Sequence, residues 1–250
     1  MIPKVIHYCW FGDKRFGETE RNCIQSWKKA LPNYQIKCWN ESNFNFSDYE
    51  FARIAYINRK FAFVSDVCRL HVLYNEGGIY LDTDMFVLKS FDELLTQDFF
   101  IGEEKPSVIN GAIIGSKPQI PIVKKMLEHY SSLAFKIEKP QAIPTILNQF
   151  LVNQNSVLIL PSKYFYSLPY ESRNRNYKEF VTKESISVHL WNHSWKSEFG
   201  YLSEGKYFKS LNVFFRNIKY NPKIFLQVKY LLKYSKFFLA RLFPALVRKK

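Results

Sequence analysis

FVSDVCRLHVLYNEGGIYLDTDMFVL, residues 63–88, decides how the rest of the chain is read. Val64, Val67, Leu70, Val72, Leu73 and Tyr74 recur at near-helical spacing, which predicts a helix over 62–75 with one buried face. Gly77 and Gly78 stop it, because glycine tolerates the left-handed backbone that a helix C-terminus needs. Ile79, Tyr80 and Leu81 then read as a short buried strand. At its end stand Asp82 and Asp84, which period-two geometry sets on one side if the strand continues. Two carboxylates that close repel unless a cation joins them. An oxygen-rich pair of this kind suits Mg²⁺ or Mn²⁺, which keep open positions for phosphate oxygens. Alone, D-x-D is common by chance and reads as a solvated turn with two ordinary aspartates. Its place after a buried strand, where ligands gather in open α/β sheets, favours a site.

Outward from this stretch, the pattern is that of an α/β protein. Residues 3–12, PKVIHYCWFG, form a near-continuous apolar run, as expected of a first strand covered on both faces. Glu20 to Leu31 has helical spacing, with Cys23, Ile24 and Trp27 on one face, and Tyr34 to Trp39 reads as a second strand. Strand, helix and strand make a βαβ unit and imply a parallel sheet. Further helices are expected over 49–58, 120–132 and 143–152. Further strands are expected over 99–102, 110–115, 157–160 and 185–190, with 162–183 as loop. The four cysteines, Cys9, Cys23, Cys38 and Cys68, form no C-x-x-C pair and are expected to be reduced, mostly buried thiols.

The net charge of +14 is unevenly spread across the 250 residues. After Glu204 there is no acidic residue, whereas 206–250 holds twelve Lys and Arg; residues 1–205 carry 24 basic and 22 acidic residues, a net of +2. The domain boundary is therefore expected near 200–206, with 1–205 as the catalytic-type domain and 206–250 as an appendage. Within that tail Lys229, Lys233 and Lys236 share a helical face, with Val228, Leu231, Phe238 and Leu242 roughly opposite. This basic amphipathic pattern suits an anionic membrane surface, or a helix packed on the protein with its lysines in solvent. Binding to nucleic acid is not expected, because the body is almost neutral and the basic residues accompany an apolar stripe. The N-terminus lacks a signal-peptide apolar region, and no run reaches the length of a spanning helix. The expected location is cytoplasmic, peripheral on the inner face of the cytoplasmic membrane.

Three separated motifs, IPKVIHYCWFG, FVSDVCRLHVLYNEGGIYLDTD and VHLWNHSW, occur in an order that resembles the DXD sugar-transferases. These are glycosyltransferase family 32 and its relatives, including the clostridial glucosylating toxins and bacterial polysaccharide-synthesis enzymes. The resemblance covers roughly residues 1–197. It implies a GT-A-like fold with a mixed, mostly parallel central sheet and helices on both faces. It also implies a nucleotide-sugar donor, a UDP-sugar foremost, a Mn²⁺ or Mg²⁺ ion, and retaining transfer to a glycan or lipid-linked acceptor. A catalytically silent, membrane-associated scaffold that kept the fold is the first alternative, and a basic nucleic-acid-binding protein the second.

Under the resemblance Trp10 stacks on the uracil base, as an indole at a strand end can, while His7 is structural. Asp66 and Arg69, three residues apart on one helical face, hold the donor sugar and diphosphate. Read from the residues alone, they are an ordinary intrahelical ion pair. Asp82 and Asp84 supply the metal site and, with Arg69, the catalytic group. Asp82 also reaches the donor, and Asp84 is the direct ligand. His189 is the third metal ligand, since imidazole accepts Mn²⁺. Ser194 and Trp195 contact the β-phosphate. Tyr80, Asn110 and Gly111 line the donor pocket, although a core position for Tyr80 and a structural turn at 110–111 fit as well.

Overall fold

The computed structural model describes residues 1–136, 140–152, 154, 156–192, 198–220 and 228–242. The chain divides into two compact units, Met1–Asn192 and His193–Lys250. The first unit holds strands β1 (Val5–Cys9), β2 (Gln35–Trp39), β3 (Gly78–Leu81), β4 (Met85–Val87), β5 (Phe99–Lys105), β6 (Val108–Ser116), β7 (Leu158–Leu160) and β8 (Ser187–His189). Its helices are α1 (Glu18–Ala30), α2 (Glu50–Ile57), α3 (Phe61–Glu76), α4 (Pro121–Ser132), α5 (Ile143–Leu151) and the short α6 (Ser162–Phe165). Six strands form one sheet in the order β2-β1-β3-β6-β5-β7, and β4 pairs with β8 in a separate ribbon. β1 runs parallel to β2 and β3, and β5 parallel to β7, whereas β6 is antiparallel to both neighbours. The result is the mixed, mostly parallel α/β sheet of a GT-A-like architecture. The segment 162–183, expected as loop, contains α6 and two 3₁₀ turns.

Strand alternation sorts the core into two layers. Tyr80, Phe99, Ile101 and Ile114 face a cluster with Phe51, Val67, Tyr130 and Leu147, contributed by α2, α3, α4 and α5. Ile79, Leu81, Phe100 and Ile113 face the other way, onto Trp27 of α1, Phe91, Phe165 and Val188 of β8. Each such side chain, fully buried, contributes about 1.5–3 kcal/mol.

The Gly77-Gly78 stop seats β3 against β1. Gly77, at φ 66°, donates its N–H to Leu73 O at 3.0 Å and closes α3. Gly78 lies at φ 103°, and a Cβ there would sit 2.7 Å from Val5 O and 2.9 Å from His7 Nε2. His7 is structural. Its Nε2 donates to Gly77 O at 2.8 Å and its Nδ1 accepts from Trp39 Nε1 at 3.0 Å. Burial holds its pKa below the ordinary value, so the neutral ring keeps one donor and one acceptor.

The second unit contains α7 (Glu198–Ser203), α8 (Tyr207–Tyr220) and α9 (Val228–Leu242). The apolar stripe of α9 matches the expected one at Phe238 and differs at Leu231 and Leu242. Tyr230, Tyr234 and Phe238 pack inward with Leu202 and Phe214, whereas Leu231 and Leu242 are each 40% exposed; the side chain of Val228 lies outside the described residues. The aromatic row wins because Tyr234 stacks on Phe214 with centroids 3.9 Å apart and its hydroxyl meets Ser210 Oγ at 2.7 Å. Among the described residues no helix is long and apolar enough to cross a membrane.

Gly78→Ala is expected to lower the unfolding free energy by at least about 1–2 kcal/mol, the cost of forcing a Cβ into a left-handed backbone, with the close approach to β1 adding to it. An unchanged urea midpoint would contradict this account of the strand junction.

Candidate active site

The site is built around a buried guanidinium. Asp66 and Arg69 are each 5% exposed although both lie on α3. Arg69 Nη2 meets Asp66 Oδ1 at 2.9 Å, and Nη1 donates to Gly111 O at 2.7 Å and lies 3.4 Å from Asp82 Oδ1. Nε donates to Ser65 O at 3.3 Å, and the guanidinium lies over the Tyr80 ring, 4.4 Å from its centroid. The pair read from sequence as an intrahelical contact thus belongs to a wider set, in which Arg69 meets four carboxylate and carbonyl partners from α3, the end of β3 and β6. Gly111 admits the group: a Cβ there would sit 3.0 Å from Leu147 Cδ1 and 3.4 Å from Arg69 Nη1.

Burial pushes the Asp66 carboxyl up to about 6, against the opposing pull of Arg69. Its second oxygen accepts the N–H of Ile143, the first residue of α5, at 3.2 Å. The raised value means that a protonated Asp66 favours the fold, and this stability is lost as pH rises from 3.8 through about 6. For Arg69, burial alone would favour loss of the proton, but Asp82, Tyr80 and Asp66 outweigh it and hold the guanidinium charged.

Asp82 and Asp84 are brought together by a turn rather than by a continuing strand. β3 stops at Leu81, and Met85 N–H donates to Asp82 O at 3.0 Å as the chain reverses into β4. Asp82 N–H donates to Ala112 O at 2.8 Å, and its carboxylate accepts from Tyr80 Oη at 2.9 Å. Asp84 faces the end of β8. Its Oδ1 lies 3.2 Å from His189 Nε2, and its Oδ2 accepts the N–H of Asn192 at 2.8 Å. β4 and β8 set this pair, with Met85 opposite His189 in the register. Burial opposes charge on both groups, yet each supports the other. Asp84 is held below the usual carboxylate range by His189, and His189 above its ordinary value by Asp84.

One ligand atom from each of Asp82, Asp84 and His189 lies within 4.8 Å of the others. Two carboxylates and an imidazole form a donor set that could hold a divalent cation. The His189 Nδ1 is buried with no hydrogen-bond partner among the described residues, so this ring is not placed to satisfy an ordinary core.

The remaining candidates are placed as follows. Trp10 lies just past β1, partly exposed, with Nε1 donating to Lys14 O at 2.6 Å and its ring 4.5 Å from that of Phe16. Tyr80 is both core and site wall, since its ring is buried under Arg69 while its hydroxyl reaches Asp82. Asn110 donates to Glu104 at 2.7 Å and accepts from Ala112 N–H at 2.9 Å, which fixes the strand beside Asp82. Ser194 and Trp195 lie outside the described residues.

Sequence reasoning did not single out Trp191, Asn192, Tyr166 or Glu20. Trp191 packs 4.0 Å from the His189 ring, and Tyr166 stands edge-on to that ring at 5.7 Å. Asn192 links Asp84 to Glu20, whose Oε1 accepts Asn192 Nδ2 at 2.8 Å. The available signal was Glu20 itself, an acid on the face of α1 that otherwise carries Cys23 and Trp27 into the core.

Two family models match the chain. The first, the glycosyltransferase sugar-binding region containing the DXD motif, matches residues 17–101. The second, the alpha 1,4-glycosyltransferase conserved region, matches residues 122–211. Inositol phosphoceramide mannosyltransferase 3 of Schizosaccharomyces pombe is 26% identical over 146 residues, 56% of this chain and 40% of that protein. Lactosylceramide 4-alpha-galactosyltransferase of Homo sapiens is 24% identical over 148 residues, 52% of this chain and 41% of that protein. In both cases the match takes in less than half of the relative's own length. The solved PaToxG glycosyltransferase aligns at TM-score 0.44 and 19% identity, over 60% of this chain and 70% of that one. Asp66, Arg69, Asp82 and Asp84 fall within the DXD region, and His189 and Asn192 within the second region. The chain is thus related to the DXD-motif glycosyltransferases and shares their GT-A-like architecture.

Proposed function

We propose that this chain is a metal-dependent, retaining glycosyltransferase of the family 32 kind. It moves a hexose from a nucleotide-sugar, a UDP-sugar foremost, to a hydroxyl of a glycan or lipid-linked acceptor in surface-polysaccharide synthesis. The observation that carries the reading is the convergence of Asp82, Asp84 and His189, with Asp82 itself held by Arg69. A divalent cation held by these three side chains would neutralise diphosphate charge as the nucleotide leaves the anomeric carbon. Imidazole in the set favours Mn²⁺ over Mg²⁺.

The chain's own residues divide the remaining work. Trp10 offers an aromatic face to the base, Asp66 and Asp82 accept from sugar and ribose hydroxyls, and Asn110 and Gly111 wall the donor sugar. Arg69 acts chiefly by holding Asp66 and Asp82 in place. Ser194 and Trp195 donate to the β-phosphate. Retention is supported by the engagement of all three aspartates, Asp66 with Arg69, Asp82 with Tyr80 and Asp84 with His189 and Asn192. With these carboxylates so engaged, the acceptor proton is assigned to the departing phosphate. A lipid-linked acceptor is in keeping with the ceramide substrates in the names of the two curated relatives.

Residues 1–205 form the catalytic part, and 206–250 rest on the anionic inner face of the cytoplasmic membrane. The tail has twelve basic and no acidic residues, and Phe208, Phe215, Leu232 and Leu239 are exposed on its helices.

With Mn²⁺ and a panel of UDP- and GDP-sugars, the protein is expected to release nucleotide. Asp84→Ala should cut that release by at least about 100-fold with an unchanged circular dichroism spectrum, and full turnover in the variant would remove the metal reading. Arg69→Ala strands the buried Asp66 carboxylate and is expected to cost about 3–5 kcal/mol in urea unfolding; a loss below about 1 kcal/mol, the range of an exposed pair, would deny Arg69 its organising role. In co-sedimentation the protein should bind anionic vesicles, bind neutral ones weakly, and be released by salt. Leu232→Glu combined with Leu239→Glu should detach it, and equal binding to both vesicle types would rule out the anionic surface.

A further inference from the structure

Asp84 is held at both oxygens. With Oδ2 engaged by the Asn192 N–H at 2.8 Å, Oδ1, 3.2 Å from His189 Nε2, is the oxygen left to face the cluster. That amide points at Asp84 because Trp191 adopts φ 54°, a left-handed backbone that a bulky residue takes only when its surroundings enforce it. Trp191 is anchored by its Nε1, which donates to Leu168 O at 2.8 Å. Asn192 has its own anchor: its Nδ2 donates at 2.8 Å to Oε1 of Glu20, a carboxylate 2% exposed in the first turn of α1. The helix N-terminus favours the negative charge there. Gly17 leaves room for it, since a Cβ at that position would lie 2.5 Å from Glu20 Oε2.

We infer that Glu20 and Asn192 form a strap that orients Asp84 for cation binding, with Glu20 as a positioning residue 172 positions from Asn192 in sequence. The inference rests on the cation reading proposed above. Glu20 touches neither cation nor sugar. It fixes the side chain of Asn192, which fixes the backbone amide, which leaves a single Asp84 oxygen for the cation. Cys23, wholly buried one turn along α1, does not compete as a ligand. Burial, Asp84 and Glu20 push its thiol well above the ordinary value and keep it protonated.

The test measures Mn²⁺ affinity from the electron paramagnetic resonance of free Mn²⁺, together with hydrogen exchange at the Asn192 amide. Glu20→Ala and Asn192→Ala are each expected to weaken Mn²⁺ binding by about 10–100-fold, the usual effect of losing an outer partner of a ligand. The double variant should be no weaker than either single one. Glu20→Gln keeps an acceptor for Asn192 Nδ2 and should bind as the wild type does, which separates the hydrogen bond from any general need for an acid in α1. Exchange at the Asn192 amide should quicken in Glu20→Ala. Asn192 is exposed at the surface, so its variant reports on the strap even if Glu20→Ala folds poorly. Wild-type affinity in both alanine variants, or unaltered amide exchange in Glu20→Ala, would overturn the strap. Absence of Mn²⁺ binding by the wild type would instead overturn the cation reading, and the amide exchange would still decide whether the strap exists.

Discussion

One buried positive charge conditions the rest of the first unit. Arg69 is shut away from water on α3, and it is tolerable there only because Asp66, Asp82 and the Gly111 carbonyl surround it. Those partners come from α3 itself, from the end of β3 and from β6. The guanidinium therefore ties the helix to the sheet at the edge where the acidic turn begins. Packing alone would allow α3 to slide along the sheet; charge satisfaction at three points would not. The same contact that completes the core thus also fixes the direction of the Asp82 carboxylate.

Around this centre the two acids of the turn have separate cationic companions. Asp82 lies against Arg69, and Asp84 against His189. Two carboxylates this close repel one another. With a companion for each, that repulsion is offset and the pair keeps its geometry. The elements that deliver those companions differ in kind. Arg69 arrives on a helix contiguous with the turn, whereas His189 arrives on a strand outside the main sheet, in the ribbon it forms with β4. The first is a local consequence of sequence and the second a consequence of tertiary pairing.

That difference explains what could be read before the structure. Helix, glycine stop, strand and acidic pair lie in one stretch, and each carries a local signal, so the order of elements and the pairing of Asp66 with Arg69 followed from spacing, while their sharing a site with Asp82 and Asp84 came from the resemblance. His189 was reached through resemblance, since nothing local to SVHLW marks a ligand. The strand argument for Asp82 and Asp84 gave the right neighbourhood by the wrong geometry, because a turn closes after Leu81. Asn192 and Glu20 were not legible. Their roles depend on a positive φ at Trp191 and on contacts across the unit, which no periodicity records. In α9 the helical pattern was visible, but which apolar stripe packs inward depended on Phe214 and Ser210 of a different helix.

The separation of 105 positions between Asp84 and His189 bears on how the chain comes off the ribosome. At ordinary translation rates of about 5–20 residues per second, the acidic turn is made roughly 5–20 s before its imidazole partner. During that interval the nascent protein carries Asp84 without the group that offsets its charge. The pocket can therefore close only after all six strands of the main sheet have been made and are available as a template.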